Sequence, residues 1–317
     1  MLPGKASVVE AAERIAPYIH RTPVLMCSTI NRMFGGEIFF KCENFQKAGA
    51  FKSRGATNAV FQLSDDETQR GVATHSSGNH AGALALAASR RGISANIVMP
   101  ENSSRIKMKA VESYGGIITL CKPTLAAREE TLKEVINKTG AVEIHPYNDH
   151  RIIAGQATAA KELIEEVSDL HQIMAPVGGG GLLSGTALSA KYFGNNIRVI
   201  AAEPEGADDA FRSFKAGIII PSVDPHTIAD GLRTSLGSLT FPIIMQNVDS
   251  IVTVSEAGIV EAMRLIWERM KIIVEPSSAV PLAAIIENKL NVSGMRTGII
   301  LSGGNIDLEN LPFKTTV

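Results

Sequence analysis

Apolar residues recur along this chain with two different spacings. Short apolar runs at 95–99 and 172–177 predict buried strands, whereas apolar residues every three or four positions in 7–16 predict an amphipathic helix. Strand patterns and helix patterns alternate nearly throughout the chain. This alternation predicts an α/β fold with doubly wound parallel sheets that are covered by helices on both faces.

The remaining pattern predicts how these elements are grouped. Further strands are expected at 37–41, 71–75, 116–120, 142–144, 198–202 and 297–301. Further helices are expected at 51–62, 80–91, 104–114, 125–138 and 155–167, and another ends at 192. The compact units from 71 to 144 predict a separate small domain. We place its limits at 50–145, with a discontinuous large domain formed by 1–49 and 146–317.

Composition and charge narrow the classes of function. The 317 residues include 31 Lys and Arg against 32 Asp and Glu, which gives a formal net charge of −1. This balance argues against a dedicated nucleic-acid or membrane-surface protein, because phosphate partners favour a basic excess. Hydrophobic residues make up 45% and charged residues 20%, and this composition excludes global disorder.

The cysteines and the N-terminus indicate a compartment. Cys27, Cys42 and Cys121 cannot form a disulfide framework and contain no CxxC pair, so a reducing environment is expected. The first residues lack the basic start and apolar run of a signal peptide, and no apolar stretch is long enough to span a bilayer. We therefore expect a cytoplasmic protein.

Four consecutive glycines, Gly178, Gly179, Gly180 and Gly181, separate a predicted strand from a predicted helix. Glycine lets backbone N–H groups approach an anion closely at a helix N-terminus, so the run predicts a phosphate site. The alternative is a tight turn, for which four glycines are more than is needed.

The identity of the phosphate compound is a separate question. The dinucleotide fingerprint GxGxxG fails because Leu183 and Ser184 occupy the positions of its last glycine. No Gly-Lys-Ser/Thr sequence of a P-loop follows either. Glu203 ends the next strand at the distance of a ribose-binding acid, which leaves a dinucleotide-binding oxidoreductase open as an alternative.

Lys52 lies at the start of a predicted helix, close to Arg54. The helix macrodipole and the neighbouring cation both disfavour an ammonium there, so the amine should be more available as a nucleophile. The alternative is an exposed surface lysine, which is the usual fate of this residue type.

Two polar loops follow predicted strands. The loop 76–80, with the sequence Ser-Ser-Gly-Asn-His, places free N–H groups at a helix start, where they suit a carboxylate. Simple N-capping is the alternative, and His80 alone is expected to be a packed helix residue. The loop 302–305 begins with Ser302, whose hydroxyl is expected to face the ligand crevice at the carboxyl ends of the strands. The alternative there is a glycine turn with a capping serine.

Together these segments resemble the fold-type II pyridoxal phosphate enzymes, most closely the group of serine racemases and serine–threonine dehydratases (threonine ammonia-lyases). The matching stretches lie in family order at 41–56, 76–80, 154–156, 178–181, 227–231, 274–276 and 302–305. Each stretch is unspecific alone, whereas the combination is highly specific. The resemblance implies two doubly wound domains of the tryptophan synthase β type.

The resemblance implies a role for each matching residue. Lys52 would hold pyridoxal 5′-phosphate as a Schiff base and remove the Cα proton, and Ser77 would act as a second acid/base on the opposite face. Phe51 and Gly231 would flank the ring, Asn79 would bind the ring oxygen, and Ser302 would face the pyridine nitrogen. The phosphate would bind to Gly178, Gly179, Gly180 and Gly181. The substrate carboxylate would bind to Ser76, Ser77, Gly78, Asn79 and His80.

The resemblance also implies a divalent-cation site and an assembly. Glu203, the Ala207 carbonyl and Asp209 match the cation site of the racemases, and oxygen ligands of this kind suit Mg²⁺ or Ca²⁺. This role for Glu203 competes with the ribose-binding one. A homodimer is expected from the family.

The activity implied is β-elimination of a hydroxy amino acid such as L-threonine or L-serine to a 2-oxo acid and ammonia, with serine racemisation as a side or main activity. A neutral Ser302 hydroxyl cannot protonate the pyridine nitrogen as a carboxylate would, which favours loss of a β-hydroxyl. Tyr147 departs from the asparagine of the mammalian racemases, which leaves nearby substrate contacts open.

Three alternatives remain at this point. Arg233 could pair with a second carboxylate and so favour 3-hydroxyaspartate, although a surface or structural arginine is the other interpretation. Outside this class, a non-catalytic pyridoxal phosphate-binding protein and a dinucleotide-binding oxidoreductase are the alternatives.

Overall fold

The computed structural model describes residues 2–76 and 78–313, and its strands form two sheets. The strands are β1 Val24–Met26, β2 Glu37–Cys42, β3 Val72–His75, β4 Ala95–Pro100, β5 Ile117–Cys121, β6 Val142–Glu143, β7 Gln172–Pro176, β8 Arg198–Pro204, β9 Ser250–Val254 and β10 Arg296–Leu301. The larger sheet has the order β1-β2-β10-β7-β8-β9, and the smaller one has the order β5-β4-β3-β6.

Helices connect nearly all of these strands. They are α1 Lys5–Ile15, α2 Ser28–Phe34, α3 Lys52–Phe61, α4 Asp65–Arg70, α5 Asn79–Arg91, α6 Arg105–Ser113, α7 Leu125–Thr139, α8 His150–Glu166, α9 Gly181–Phe193, α10 Asp209–Ala216, α11 Thr240–Asn247, α12 Glu256–Met270 and α13 Pro276–Ile286. None of the helices within the described ranges is long and apolar enough to cross a membrane.

The predicted α/β class is confirmed, and the predicted elements are present with small shifts at their ends. The largest shift is in α8, which begins at His150 instead of 155. Asp149 caps this helix, because its side chain accepts a hydrogen bond from the Arg151 N–H at 2.7 Å. The smaller sheet lies within 72–143. The limits of the small domain stay a prediction.

One described strand pair departs from the expected parallel arrangement. β1 pairs antiparallel with β2, with Leu25 opposite Phe40. An antiparallel edge strand on an otherwise parallel sheet is common. With three residues, β1 is too short to show an alternating pattern, and so the sequence did not predict it.

Alternate residues of the larger sheet pack against different helices. Met174 and Ile200 pack with α12 and α13 on one face. Their neighbours Ile173 and Val199 pack with α8 and α9 on the other face. The sheet is therefore buried on both sides, as a doubly wound fold requires.

Helix α3, which begins with Lys52, is fixed against α8 by close packing. A Cβ added at Gly155 of α8 would lie 2.6 Å from the Cα of Gly55, so neither position has room for a larger side chain. This contact accounts for two of the glycines in the matching stretches at 41–56 and 154–156.

A buried ion cluster adds to this attachment. Arg54 donates to both carboxylate oxygens of Glu43, at 2.7 and 2.8 Å, and to both of Glu162, at 2.7 and 2.8 Å. Lys41 donates to Glu162 at 2.6 Å and to the Thr22 carbonyl at 2.7 Å. Two cations and two anions thus balance inside the protein and fix the start of α3 relative to the larger sheet.

Candidate active site

The four-glycine loop joins the end of β7 to the start of α9. Every residue from 178 to 183 is buried, and within the described residues none of their N–H groups donates a hydrogen bond. Buried backbone N–H groups are almost always paired, so a run of unpaired ones at a helix N-terminus fits an anion. The loop therefore fits the phosphate of the cofactor.

Neighbouring side chains hold this loop from two sides. The ring of Tyr147 lies so close to Gly179 that a Cβ added there would overlap it. On the other side, the Thr240 hydroxyl donates to the Gly179 carbonyl oxygen at 2.8 Å. Glycine is required at this position because Tyr147 fills the space that a side chain would occupy.

Lys52 is the first residue of α3 and is partly buried, which excludes the interpretation as an exposed surface lysine. Its Nζ donates to the Pro146 carbonyl oxygen at 2.8 Å and lies 5.1 Å from the centre of the Phe51 ring. Burial lowers the pKa of Lys52 to about 8, against the opposing effect of the Glu275 carboxylate. A larger fraction of the amine is therefore neutral near physiological pH than for an ordinary lysine.

The loop before α5 brings Asn79 to the same region. The Asn79 Nδ2 donates to the two oxygens of Glu275 at 2.8 and 3.1 Å, and its Oδ1 accepts from Asn305 Nδ2 at 3.0 Å. In the loop itself, the Gly78 N–H donates to the Ser76 hydroxyl at 3.3 Å. Ser77 lies outside the described residues.

His80 is buried in α5, as its interpretation as a packed helix residue predicts. Its Nε2 lies 3.1 Å from the Ile144 carbonyl oxygen. Burial holds the pKa of His80 well below its ordinary value, and the positive charge of Lys52 acts in the same direction. His80 is therefore neutral beside Lys52.

The other predicted cofactor contacts fall into two places. Phe51 and Ser302 are adjacent, because the Phe51 N–H donates to the Ser302 carbonyl oxygen at 2.9 Å. The Ser302 hydroxyl is buried, 3.1 Å from the hydroxyl of Ser278. Gly231 lies against the glycine loop, since a Cβ added at Gly178 would be 3.1 Å from the Gly231 carbonyl oxygen. Phe51, predicted to flank one face of the ring, therefore lies beside Ser302. Gly231, predicted to flank the other face, lies beside the glycine loop.

The predicted cation ligands lie at the end of β8 and the start of α10. Glu203 and Asp209 are buried, and burial raises the pKa of Glu203 to about 9 and that of Asp209 to about 6. Glu203 accepts the N–H groups of Ala210 and Phe211 at 3.1 and 2.9 Å. Neither carboxylate oxygen of Asp209 has a hydrogen-bond partner in the described part of the chain. A buried carboxylate without partners fits a cation ligand, and Ala207 is buried beside it.

Two arginines, Arg233 and Arg128, differ in their hydrogen bonds. Nε and Nη2 of Arg233 donate to the Thr227 carbonyl oxygen, the former at 3.0 Å, and the side chain is exposed. Arg128, on α7, was not singled out from the sequence. Burial lowers the pKa of His75, the charge of Arg128 acts in the same direction, and the Arg128 Nε is buried without a hydrogen-bond partner among the described residues. The ring of His75 is 6.1 Å from that of His145, the residue before Pro146.

Three more residues of the site received no role from the sequence. Glu275 and Asn305 stand in matching stretches, which was the available signal, and both bind the Asn79 amide. Tyr147 was noted for its departure from the racemases, but its contact with the glycine loop could not be predicted. Such contacts depend on tertiary packing and leave no local pattern in the sequence.

Comparisons with known proteins agree with this geometry. The sequence model of the family described as pyridoxal-phosphate dependent enzyme matches residues 15–303. The beta-hydroxyaspartate dehydratase of Paracoccus denitrificans (strain Pd 1222) is 52% identical over 313 residues, which is 99% of each chain.

Two solved structures are similar over nearly the whole chain. The serine racemase from Dictyostelium discoideum is 51% identical with a TM-score of 0.92, covering 96% of this chain and 99% of that one. The threonine deaminase of T.th. is 41% identical with a TM-score of 0.91 and the same two coverages. With a family match over most of its length and relatives above 50% identity, this chain belongs to the pyridoxal-phosphate dependent enzymes.

Proposed function

We propose that this chain eliminates the β-hydroxyl of a hydroxy amino acid, releasing a 2-oxo acid and ammonia. The observation that carries the proposal is the position of Lys52. Its partly buried amine, with a lowered pKa, binds the carbonyl of Pro146, and the residue after Pro146 packs on a loop of unpaired N–H groups. The similarity to a hydroxyaspartate dehydratase and a threonine deaminase supports the same reaction type.

Residues of this chain would hold pyridoxal phosphate at both ends. Lys52 would bind it covalently, and the N–H groups of 178–181 would donate to its phosphate at the start of α9. Phe51 and Gly231 would contact the two faces of its ring, and Asn79 would donate to its ring oxygen. When bound, the cofactor withdraws electrons from the Cα of the amino acid and so acidifies the Cα proton.

The protein's own groups would then move that proton and select the outcome. The Lys52 amine, once exchanged for the substrate, is the base for the Cα proton, and its lowered pKa keeps part of it neutral. The Ser302 side chain is a neutral hydroxyl that lies 3.1 Å from the hydroxyl of Ser278. It carries no charge that would stabilise a protonated pyridine nitrogen. That arrangement favours departure of the β-hydroxyl.

The loop 76–80 at the start of α5 is the proposed carboxylate site. Free N–H groups at a helix start suit an anion, and the loop also contributes the polar side chains of Ser76 and Asn79. Ser77 would serve as a second acid/base for racemisation, as the similarity to a serine racemase supports. If Ser77→Ala left racemisation intact while Lys52→Ala removed all activity, this two-base assignment would be wrong.

A second candidate substrate is 3-hydroxyaspartate, and Arg128 favours it. Its buried Nε has no hydrogen-bond partner in the described ranges, and its charge lowers the pKa of His75, so it is suited to a second carboxylate, whereas Arg233 is engaged with the Thr227 carbonyl. Turnover of threonine, serine and 3-hydroxyaspartate is to be compared for Arg128→Gln and Arg233→Ala. A selective loss of hydroxyaspartate turnover in Arg128→Gln supports this candidate, and an equal loss for all three substrates contradicts it.

We further propose a divalent cation, Mg²⁺ or Ca²⁺, at Glu203, the Ala207 carbonyl and Asp209, supported by the unpaired carboxylate of Asp209. We also propose a homodimer, which the family resemblance supports, and a cytoplasmic location, which the cysteine content supports. Sedimentation analysis of the purified protein tests the dimer.

A substrate panel tests the proposed reaction. The purified protein, loaded with pyridoxal phosphate, is incubated with L-serine, L-threonine and 3-hydroxyaspartate, and 2-oxo acid, ammonia and enantiomer composition are measured. Stoichiometric 2-oxo acid and ammonia from at least one substrate support the proposal. A loaded protein that releases neither would be a non-catalytic binding protein instead.

A further inference from the structure

We infer that Glu275 and Asn305 are positioning residues that hold the Asn79 amide in one orientation, with one N–H of its NH₂ group shared by the two Glu275 oxygens and the other available to the ring oxygen of the cofactor. This inference rests on the proposed function, which gives Asn79 that contact. It assigns roles to two residues that lie in matching stretches of the sequence but had none.

Glu275 determines which end of the Asn79 amide faces it. Both Glu275 oxygens lie within hydrogen-bond distance of the Asn79 Nδ2, at 2.8 and 3.1 Å. A carboxylate accepts hydrogen bonds, so it selects the NH₂ end of an amide and rejects the carbonyl end. An Asn79 turned by 180° would place its oxygen against the two acceptor oxygens of the buried Glu275.

Asn305 fixes the opposite end of the amide. Its Nδ2 donates to the Asn79 Oδ1 at 3.0 Å and to the Ala48 carbonyl oxygen at 2.7 Å. Since a backbone carbonyl is an acceptor, Ala48 determines the orientation of Asn305, and Asn305 in turn determines that of Asn79. The two ends of Asn79 are therefore fixed independently, by a carboxylate and by an amide.

The loop 302–305, which contains Asn305, also contacts the segment before Lys52. Gly303 forms a β-bridge with Ala50, and the Ser302 carbonyl accepts the Phe51 N–H at 2.9 Å. Glu275 is attached to this loop as well, because its N–H donates to the Gly303 carbonyl at 3.0 Å. Lys52, the proposed attachment point, and Asn79, the proposed donor to the ring oxygen, are therefore both held through the loop 302–305. This shared attachment limits changes in the distance between them.

The Glu275 side chain is a carboxylate, the form that selects the NH₂ end of Asn79, only above its own pKa. Glu275 is 2% exposed, and burial raises its pKa to about 7. Asp230 acts in the same direction, whereas Lys107, which forms an ion pair with Asp230, opposes it. A neutral residue at 275 would not distinguish the two ends of the Asn79 amide.

The test is a double-mutant cycle with the bound cofactor as the probe. Glu275→Gln and Asn305→Ala are each prepared alone and in an Asn79→Ala background, and Glu287→Gln serves as a matched control. Glu287 is a partly buried glutamate at the end of α13, and its carboxylate accepts hydrogen bonds from the N–H and the hydroxyl of Ser255. The absorption spectrum and the dissociation constant of pyridoxal phosphate are measured for each protein, together with borohydride-fixed label at residue 52.

We expect each single variant to change the visible band and to weaken cofactor binding by roughly threefold to tenfold, the effect of one hydrogen bond. In the Asn79→Ala background, Asn305→Ala should change neither the spectrum nor the affinity further, and Glu275→Gln should retain only the smaller change caused by the loss of its charge near Lys52. The control should match the unsubstituted protein. If Glu275→Gln does not fold, Asn305→Ala alone must show the same dependence on Asn79.

Two results would overturn the inference. One is an unchanged spectrum and affinity in the single variants, and the other is an equal change with and without Asn79. Failure of the proposed function gives a different result, because the loaded, unsubstituted protein would then release no 2-oxo acid or ammonia from any of the three substrates.

Discussion

The Nζ of Lys52 donates a hydrogen bond to the carbonyl oxygen of Pro146 at 2.8 Å. The residue after Pro146, Tyr147, packs on Gly179 in the loop with unpaired N–H groups. Two consecutive residues therefore connect the candidate nucleophile to the candidate phosphate site. This link places the Lys52 amine at a defined position relative to the glycine loop.

Capture of pyridoxal phosphate by the cofactor-free protein should depend on pH with a midpoint near 8. Burial lowers the pKa of Lys52 to about 8, so its neutral, nucleophilic form grows as pH rises and predominates above that value. Stopped-flow absorbance from about pH 6 to about pH 10 measures the capture rate on both sides of that pKa.

The histidines near Lys52 should not produce this midpoint themselves, and a nearby glutamate provides a variant that should shift it. His80 and His145 stay neutral over the range, because burial lowers the pKa of both, that of His145 to about 4. Glu275 raises the pKa of Lys52, so Glu275→Gln should move the midpoint to lower pH. A midpoint near the ordinary lysine value of 10.5 would contradict the prediction.

Gly179→Ala should weaken cofactor binding by roughly tenfold or more, since the new Cβ would overlap the Tyr147 ring and displace it or the loop. Fluorescence titration with pyridoxal phosphate measures the affinity. Adding Tyr147→Ala makes room for the new side chain and should restore part of the affinity. Gly4→Ala is the control, because a Cβ there meets nothing within 4 Å. Unchanged affinity in Gly179→Ala would contradict the packing described.

Arg54→Met should lower the free energy of unfolding by about 3–5 kcal/mol, because it leaves Glu43 and Glu162 buried without their main cation. Urea denaturation of the cofactor-free protein measures this change. Arg32→Met, at an exposed position, should change the stability by no more than about 0.5 kcal/mol. Similar small effects for both variants would show that the cluster contributes little.

Mg²⁺ should raise the melting temperature of the protein, and Asp209→Asn should abolish the increase. A ligand bound to the folded state stabilises it by about 2.7 kcal/mol at a hundredfold excess over Kd. Asp208→Asn is the matched control, because Asp208 pairs with Arg212 at 2.7 Å instead of lying unpaired. Calorimetry with and without MgCl₂ measures the shift. An equal shift in both variants would place the cation elsewhere.

The chemistry-bearing segments were predictable because their signals are local. Four adjacent glycines and a lysine at a helix start can be recognised without knowing what surrounds them, and the structure places both as expected. The alternation of strands and helices likewise predicted the fold class. The start of α8 was misplaced because its capping residue, Asp149, lies before the apolar pattern begins.

The contacts between segments were not predictable. Asn79 and Glu275 are 196 residues apart, and the sequence around each residue gives no indication of their contact. Arg128 looks like an ordinary surface residue of a polar helix in the sequence, whereas in the fold its charge lowers the pKa of His75. Arg233, in contrast, lies close to the matching stretch at 227–231, and its guanidinium is engaged with the backbone.

Covalent labelling shows whether pyridoxal phosphate is attached to this chain through Lys52. The protein is incubated with pyridoxal phosphate, reduced with borohydride and digested, and the peptides are analysed by mass spectrometry, with Lys52→Ala and Lys47→Ala in parallel. We expect one stoichiometric label on the peptide that contains Lys52, unchanged in Lys47→Ala and absent in Lys52→Ala. A label on another lysine, or no label in the unsubstituted protein, would contradict it.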